Sequence, residues 1–339
     1  MQHSARAIEA ASDAAGAAPS IAVVIPSYRV RPHILDVLAR IGPEVAHIYV
    51  VDDCCPENSG SHVEQNCRDP RVRVLRHEVN QGVGGATMTG FRQAVADCAD
   101  VILKVDGDGQ MDPALIPRFV KPILEGRADY AKGNRFHQIE DVRAMPRVRL
   151  FGNAALSFMA KISTGNWGVF DPTNGYLAIH GRVAALLPWD KIERRYFFES
   201  DLLYHLYNLR AVVIDVPMRA VYGEERSGLR PAAMLAPFLA KHARNFAKRI
   251  FYNYYLRDFS IASAELVVGL LALLFGAFFG GARWLSSVES GVVASAGTVM
   301  TAALPIIVGV QFLMGFLNYD IQNAPRTPIH PLLDGQRRP

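Results

Sequence analysis

From residue 20 to residue 126, short runs of β-branched and aliphatic residues alternate with stretches whose apolar positions recur every three or four residues. IAVVIPSY (21–28), HIYVVDD (47–53), VRVLRH (72–77) and VILKVD (101–106) predict strands, and HILDVLARI (33–41), TMTGFRQAVADC (87–98) and PALIPRFVKPILEG (113–126) predict helices. Strands alternating with helices call for an α/β fold, a parallel sheet covered on both faces and joined by right-handed crossovers. Ligands of such sheets bind beyond the carboxyl ends of the strands. Polar residues collect there: Pro26, Ser27 and Tyr28 after the first strand, Asp52 and Asp53 after the second, Asp106 and Asp108 after the fourth. Between Tyr130 and about Arg230 the pattern is less regular, with helical stretches at 153–163 and 200–209, a loop through Asp171 to Gly175, and a strand at 211–218. This half is expected to complete the pocket and receive a second substrate.

The pattern changes again near the C-terminus. Between residues 261 and 321 the charged side chains are Glu265, Arg283, Glu289 and Asp320 alone. Ile261 to Leu285 and Gly291 to Tyr319 can each cover the ~30 Å hydrocarbon slab, and the short connection from Arg283 to Ser290 predicts a helical hairpin with both flanks on one side. Lys241, Arg244, Lys248, Arg249 and Arg257 before the hairpin, and Arg326, Arg337 and Arg338 after it, place that side in the cytoplasm by the positive-inside tendency. Residues 237–259 alternate bases with Phe, Tyr and Leu and read as an interfacial amphipathic helix facing lipid headgroups. The expected organisation is a disordered leader (1–19), a catalytic domain (20–235), an interfacial helix (236–259), two transmembrane helices (260–320) and a cytoplasmic tail (321–339). Gly276, Gly280 and Ala282 offer a seam for packing between protomers, and so for a homo-oligomer.

With half of its residues hydrophobic, the chain has ample material for a core, and its net charge of +4, concentrated near the hairpin, suits anionic lipid rather than nucleic acid. Cys54, Cys55, Cys67 and Cys98 show no zinc-site spacing and read as ordinary reduced thiols.

The stretch LKVDGDGQMDP (103–113) carries the most specific chemistry. Two carboxylates at D-x-D spacing can share one hard divalent cation, Mg²⁺ or Mn²⁺, which would neutralise a diphosphate leaving group. A solvated acidic turn capping the next helix through Asp112-Pro113 is the plain alternative. The position after a strand, with Asp52 and Asp53 at the equivalent place, favours the metal.

VVIPSY, VVDD, NQGVGGATMTGF, VDGDGQMDP, DPTNGY, FFESD and YGEERSGL, in this order, resemble the family 2 inverting glycosyltransferases of GT-A (Rossmann-like) fold. More narrowly they are similar to dolichyl-phosphate mannose synthase and the bacterial polyprenyl-phosphate glycosyltransferases, whose bacterial branch carries a two-helix membrane hairpin. The resemblance covers roughly residues 20–230. It implies that Pro26 and Tyr28 border the nucleotide, that Asp53 contacts its base or ribose, and that Asp106 and Asp108 hold metal and diphosphate beside Gln110. Arg29 stands where the family often has Asn. The glycines of NQGVGG lack a P-loop lysine and are expected to let a helix pack closely on a strand. By the resemblance Asp171 aligns with an acid facing the sugar, and Glu199 and Asp201 with the family's acidic pair, expected to position the sugar ahead of acting as a base. A phosphate acceptor is mostly dianionic at neutral pH and needs little help from a base. It needs cations, and Arg226, Ser227 and Arg230 resemble the family's acceptor-phosphate stretch, with Arg135, Arg143, Arg147 and Arg149 as a further basic loop.

The expected activity is therefore inverting transfer of a sugar from a nucleotide-diphosphate donor, UDP ahead of GDP, to polyprenyl phosphate at the cytoplasmic face of a bacterial inner membrane. Two alternatives stand beside it: a polysaccharide or lipid glycosyltransferase with a hydroxyl acceptor, and an inactive membrane scaffold of the same fold. No Q-x-x-R-W segment of the processive synthases is present.

Overall fold

A computed structural model describes residues 18–137, 147–219 and 231–333. The first half alternates as the sequence pattern predicts, with one further helix, α2, that the pattern did not mark: β1 (Ile21–Ser27), α1 (Ile34–Ala39), β2 (His47–Asp52), α2 (Ser59–Asn66), β3 (Val72–Arg76), α3 (Gly82–Ala96) and β4 (Val101–Lys104). A 3₁₀ turn at Pro113–Leu115, started by the Asp112 side chain accepting from Ala114 N, leads into α4 (Ile116–Leu124). Then come β5 (Tyr130–Asn134), α5 (Arg147–Thr164), β6 (Leu177–His180), α6 (Gly181–Ala185), α7 (Phe198–Asn208) and β7 (Val213–Pro217).

The strands form one seven-stranded sheet in the order β3-β2-β1-β4-β6-β5-β7. It is mixed rather than parallel throughout: β6 runs antiparallel to both β4 and β5. The reason is local. The loop through Asp171 and Gly175 lies at the carboxyl edge of the sheet, so the strand that leaves it must run the opposite way. Leu177, near the start of β6, therefore pairs with Lys104 at the end of β4. That reversal brings the DPTNGY loop beside Asp106. Neither β5 nor β6 is legible as a strand from its pattern, because one carries a lysine at its centre and the other is four residues long.

Alternation along β1 divides the core into two layers. Val23 and Ile25 face Ile34, Val37, Ile116 and Phe119 of α1 and α4. Ala22 and Val24 face Phe91 and Ala94 of α3 and Leu202 and Leu206 of α7. Phe91 is fully buried, a burial that contributes about 1.5–3 kcal/mol. Gly90 lets α3 lie directly on β1, since a Cβ there would run into Val24.

The chain then forms α8 (Pro231–Phe251), a π-helical turn (Tyr252–Arg257), α9 (Ile261–Ser290) and α10 (Ala296–Gln322). Both α9 and α10 are long and apolar enough to cross a membrane. Residues 283–290, expected as the connection, continue α9, because RWLSSVES contains no helix breaker. The turn comes at Gly291, whose φ of 68° ends the helix in the left-handed region. Ser295 Oγ accepts from Thr298 N at 3.1 Å and starts α10. The small residues join these two helices to each other: a Cβ at Gly276 would meet Ala302 O at 2.6 Å, and one at Gly309 would meet Gly269 O at 2.8 Å. Gly276 and Gly280 thus serve the hairpin of their own chain.

One face of α8 is buried against the domain through His242, Asn245 and Arg249. Arg249, counted in the sequence among the headgroup-facing bases, is 1 % exposed and pairs with Asp320 at the end of α10, Nη1–Oδ1 2.5 Å and Nη2–Oδ2 3.0 Å. Tyr254 Oη and Trp167 Nε1 also donate to Asp320. A carboxylate buried this deeply requires a cation beside it. Beyond α10 the chain returns to the sheet, where Ile329 N, His330 N and His330 Nδ1 meet the fully buried carboxylate of Asp129.

Candidate active site

A cleft of about 460 Å³ opens at the carboxyl edge of β1, β2 and β4, walled by Pro26, Tyr28, Asp53, Asn80, Asp106, Asp108, Arg195 and Tyr196. The strand ends deliver Pro26, Asp53 and Asp106 to it, and the loops that follow close around them. Tyr28 is held by an unusual neighbour: Arg29 has a φ of 59°, and its N–H donates to Cys55 Sγ at 3.1 Å. Burial alone would push the Cys55 thiol up, but the hydrogen bonds from Ser59 and Arg29 bring it below its ordinary value. Cys55 is thus part of the loop's framework and not an ordinary thiol.

Asp53 is 2 % exposed and accepts from Gln81 N and Gly82 N at 2.8 Å each, with His77 Nδ1 at 2.7 Å from the same carboxylate. It fixes the glycine-rich turn and caps α3, which is why that helix begins at Gly82 and not near Thr87. Asp52 plays the same part for α2, accepting from Cys55 N and Gly60 N.

The Asp-Gly-Asp loop follows β4. Gly109 takes a φ of 79°, which turns the chain so that Gln110 N donates to Asp108 Oδ1 at 3.0 Å. Asp106 Oδ1 accepts from Lys104 Nζ at 2.5 Å, and Lys104 in turn lies 3.9 Å from Glu199 Oε1. Burial would lower the Lys104 ammonium, but Asp106 and Glu199 outweigh it and hold the pKa above its ordinary value. Burial raises Glu199 against the pull of Lys104 and Lys132. Lys132, fully buried on β5, donates to Asn174 O at 2.5 Å, and burial brings it down to about 8.

Pro26, Tyr28, Asp53, Asp106 and Asp108 are therefore brought into one cleft. Gln110 instead lines a neighbouring depression with Arg118, His137 and Arg219. Asp171 is fully buried and held by Arg135, Nε–Oδ2 2.7 Å and Nη2–Oδ1 3.1 Å. Asp201 lies away from the cleft, accepting from Glu193 N and Asn245 Nδ2. Arg226, Ser227, Arg230 and Arg143 lie outside the described residues. The sequence reading passed over Lys104, Lys132, Arg195 and Tyr196. The signal for the lysines was a lone charge within an apolar strand; for Arg195 and Tyr196 it was a basic pair and an aromatic just before FFESD.

Of the three carboxylates at the cleft, Asp53 is committed to the turn before α3 and His77, which leaves Asp106 and Asp108, and among the described residues no group of three His, Cys, Asp or Glu side chains is placed to hold a metal. That donor set fits a hard cation such as Mg²⁺ that completes its shell with phosphate oxygens and water, and does not fit a zinc cage.

Sheet order, reversed β6 and a D-x-D loop at the carboxyl edge define a GT-A-like mixed α/β domain. The fold is shared with glucosyl-3-phosphoglycerate synthase from Mycobacterium tuberculosis, solved with Mn²⁺, UDP and glucosyl-3-phosphoglycerate: TM-score 0.51 and 20% identity over 70% of this chain and 81% of that one. Residues 22–184 match the family model described as glycosyl transferase family 2. Among curated relatives, the UDP-N-acetylglucosamine–dolichyl-phosphate N-acetylglucosaminyltransferase of Methanococcus voltae is 27% identical, over 60% of this chain and 86% of that protein. The undecaprenyl-phosphate mannosyltransferase of Micrococcus luteus is 28% identical, over 60% and 84%.

Proposed function

We propose that this protein transfers a sugar, with inversion, from a nucleotide-diphosphate donor to a polyprenyl phosphate at a membrane surface, the donor nucleotide being UDP. The observation that carries this reading is the cleft bounded by Pro26, Tyr28, Asp106 and Asp108 in a domain bonded, through Arg249 and Trp167, to the end of a helix of membrane-spanning length. The names of the Methanococcus and Micrococcus relatives support the acceptor class.

Asp106 and Asp108 would hold a divalent cation, which when bound supplies Lewis-acid neutralisation of the departing diphosphate. Tyr28 and Pro26 border the nucleotide and exclude water from one side. Arg135 neutralises Asp171 and fixes the loop that faces the sugar. Glu199 is paired with the buried Lys104 and Asp201 with Glu193 N and Asn245, so neither is presented to an acceptor as a base. This favours an acceptor that arrives already anionic, since a phosphate attacks C1 without surrendering a proton, over a hydroxyl acceptor. Catalysis at a bilayer also accounts for a tether, which raises the effective concentration of a lipid-borne substrate. The domain is then cytoplasmic, with the hairpin crossing the inner membrane twice.

The test is turnover by the purified full chain with a panel of nucleotide sugars, Mg²⁺ or Mn²⁺, and polyprenyl phosphate, the product read by mass spectrometry. A lipid-linked sugar is expected, with Asp108→Ala reducing the rate by at least ~100-fold. A wild-type protein that hydrolyses or transfers no donor sinks the enzymatic reading and leaves the inactive scaffold.

A further inference from the structure

Lys104 is the least expected residue near the cleft. Its side chain is 1 % exposed, yet it carries a full charge at the end of a central strand. Three contacts hold its Nζ: Asp106 Oδ1 at 2.5 Å, Gly175 O at 3.3 Å and Glu199 Oε1 at 3.9 Å. The register explains the arrangement, since Lys104 and Lys132 both pair with Leu177 from opposite sides of β6 and so emerge on one face, where α7 presents Glu199. The DPTNGY glycine makes room for the ion pair. A Cβ at Gly175 would stand 2.6 Å from Lys104 Nζ and 2.8 Å from Asp106 Oδ2.

We propose that Lys104 is a positioning residue that holds one oxygen of Asp106 and offsets part of the site's negative charge, so that a divalent cation is retained only together with a diphosphate. The inference rests on the reading of Asp106 and Asp108 as the diphosphate–cation site and assigns a role to a side chain that reading does not use. Two carboxylates alone present two negative charges; Lys104, closest to Asp106 and more distantly facing Glu199, offsets part of that charge. A cation arriving without phosphate meets a weakened field and an incomplete donor set. A cation arriving with a diphosphate brings its own anionic ligands, and the buried ammonium then adds to the attraction for the phosphate oxygens. Lys104 thereby couples the two ligands, and the coupling is reciprocal.

The experiment uses the full chain in detergent micelles, with Mn²⁺ binding followed by the electron paramagnetic resonance signal of the free ion and UDP binding by calorimetry. In the wild type, UDP is expected to tighten Mn²⁺ binding strongly. In Lys104→Met, Mn²⁺ alone is expected to bind about tenfold more tightly, and the tightening by UDP to fall by about tenfold. Lys104→Arg, which keeps the charge, should retain most of the coupling. Gly175→Ala displaces the ion pair without removing a charge and should shift both quantities in the same direction by less, which serves where Lys104→Met does not fold. A folded Lys104→Met or Gly175→Ala protein with wild-type Mn²⁺ affinity and wild-type coupling overturns the proposal. Failure of the wild type to bind UDP would instead count against the glycosyltransferase reading, while the comparison with Mn²⁺ alone still tests Lys104.

Discussion

Asp171 shows how a residue aligned with a catalytic acid can be committed to structure as well. Its carboxylate is fully buried and both oxygens accept from Arg135. Removing the guanidinium leaves a buried charge without its partner, which is costly, although Arg135 is itself partly exposed and water can reach the gap. Arg135→Ala is expected to lower stability by about 2 kcal/mol in chemical denaturation and to abolish transfer, while Arg135→Lys should restore part of the stability and little activity because one ammonium cannot replace the two-pronged contact. Equal stability of Arg135→Ala and wild type would show that Asp171 is solvated. The sequence could single out Asp171 and Arg135 separately. That they bind each other is decided by β5 and the loop before β6, which lie 36 residues apart in the chain.

At the scale of elements, α8 joins the sheet domain to the hairpin, and its buried face carries a titratable switch in stability. His242 Nδ1 meets Ser163 Oγ at 2.7 Å and the ring packs edge-on against Phe197. Burial lowers its pKa to about 4, and burial lowers His180 likewise to about 4. Both folded values lie below the ordinary histidine value near 6.5, so the native state favours the neutral rings. The stability they permit is complete above about pH 6.5 and is lost progressively as pH falls toward 4. The thermal midpoint of the wild type is expected to drop between pH 7 and pH 5, and His242→Gln to flatten that slope; an unchanged slope in the variant would mean that His242 is hydrated. A helix is present where the alternating bases and aromatics predict one, but its register was not readable. A period of three to four with both apolar and polar members cannot say which face meets protein and which meets lipid, and His242, Asn245 and Arg249 fall on the protein side.

At the scale of the whole molecule, two buried carboxylates outside the cleft tie the elements together. Asp320 binds Arg249, Tyr254 and Trp167, uniting α10, α8 and the segment after α5. Because both charges are almost inaccessible, Arg249→Ala is expected to cost about 3 kcal/mol, and the double change Arg249→Met with Asp320→Leu to recover much of it by replacing the pair with apolar volume. Measured unfolding in micelles decides this, and a double variant no better than the single one refutes the buried-charge account. Asp129 is satisfied by Val212 N, Ile329 N and His330, so that the segment after the hairpin fastens onto the sheet. Ending the chain after Asn323 leaves that carboxylate with Val212 N among the described partners; faster limited proteolysis of the domain is expected, and unchanged protection would show that the fastening carries no load.

The sequence by itself determined the first four strands and the helices α1, α3 and α4 up to residue 126, the D-x-D loop at a strand end and the two long apolar helices. These are local properties: side-chain periodicity, turn chemistry and hydropathy act over a few residues. Only the tertiary structure decided the antiparallel insertion of β6, the meeting of Lys104 with Asp106 and Glu199, the pairing of Arg249 with Asp320 and the return of His330 to Asp129. The last three rest on a buried charge, and a buried charge acquires its meaning from the partner that the fold places beside it.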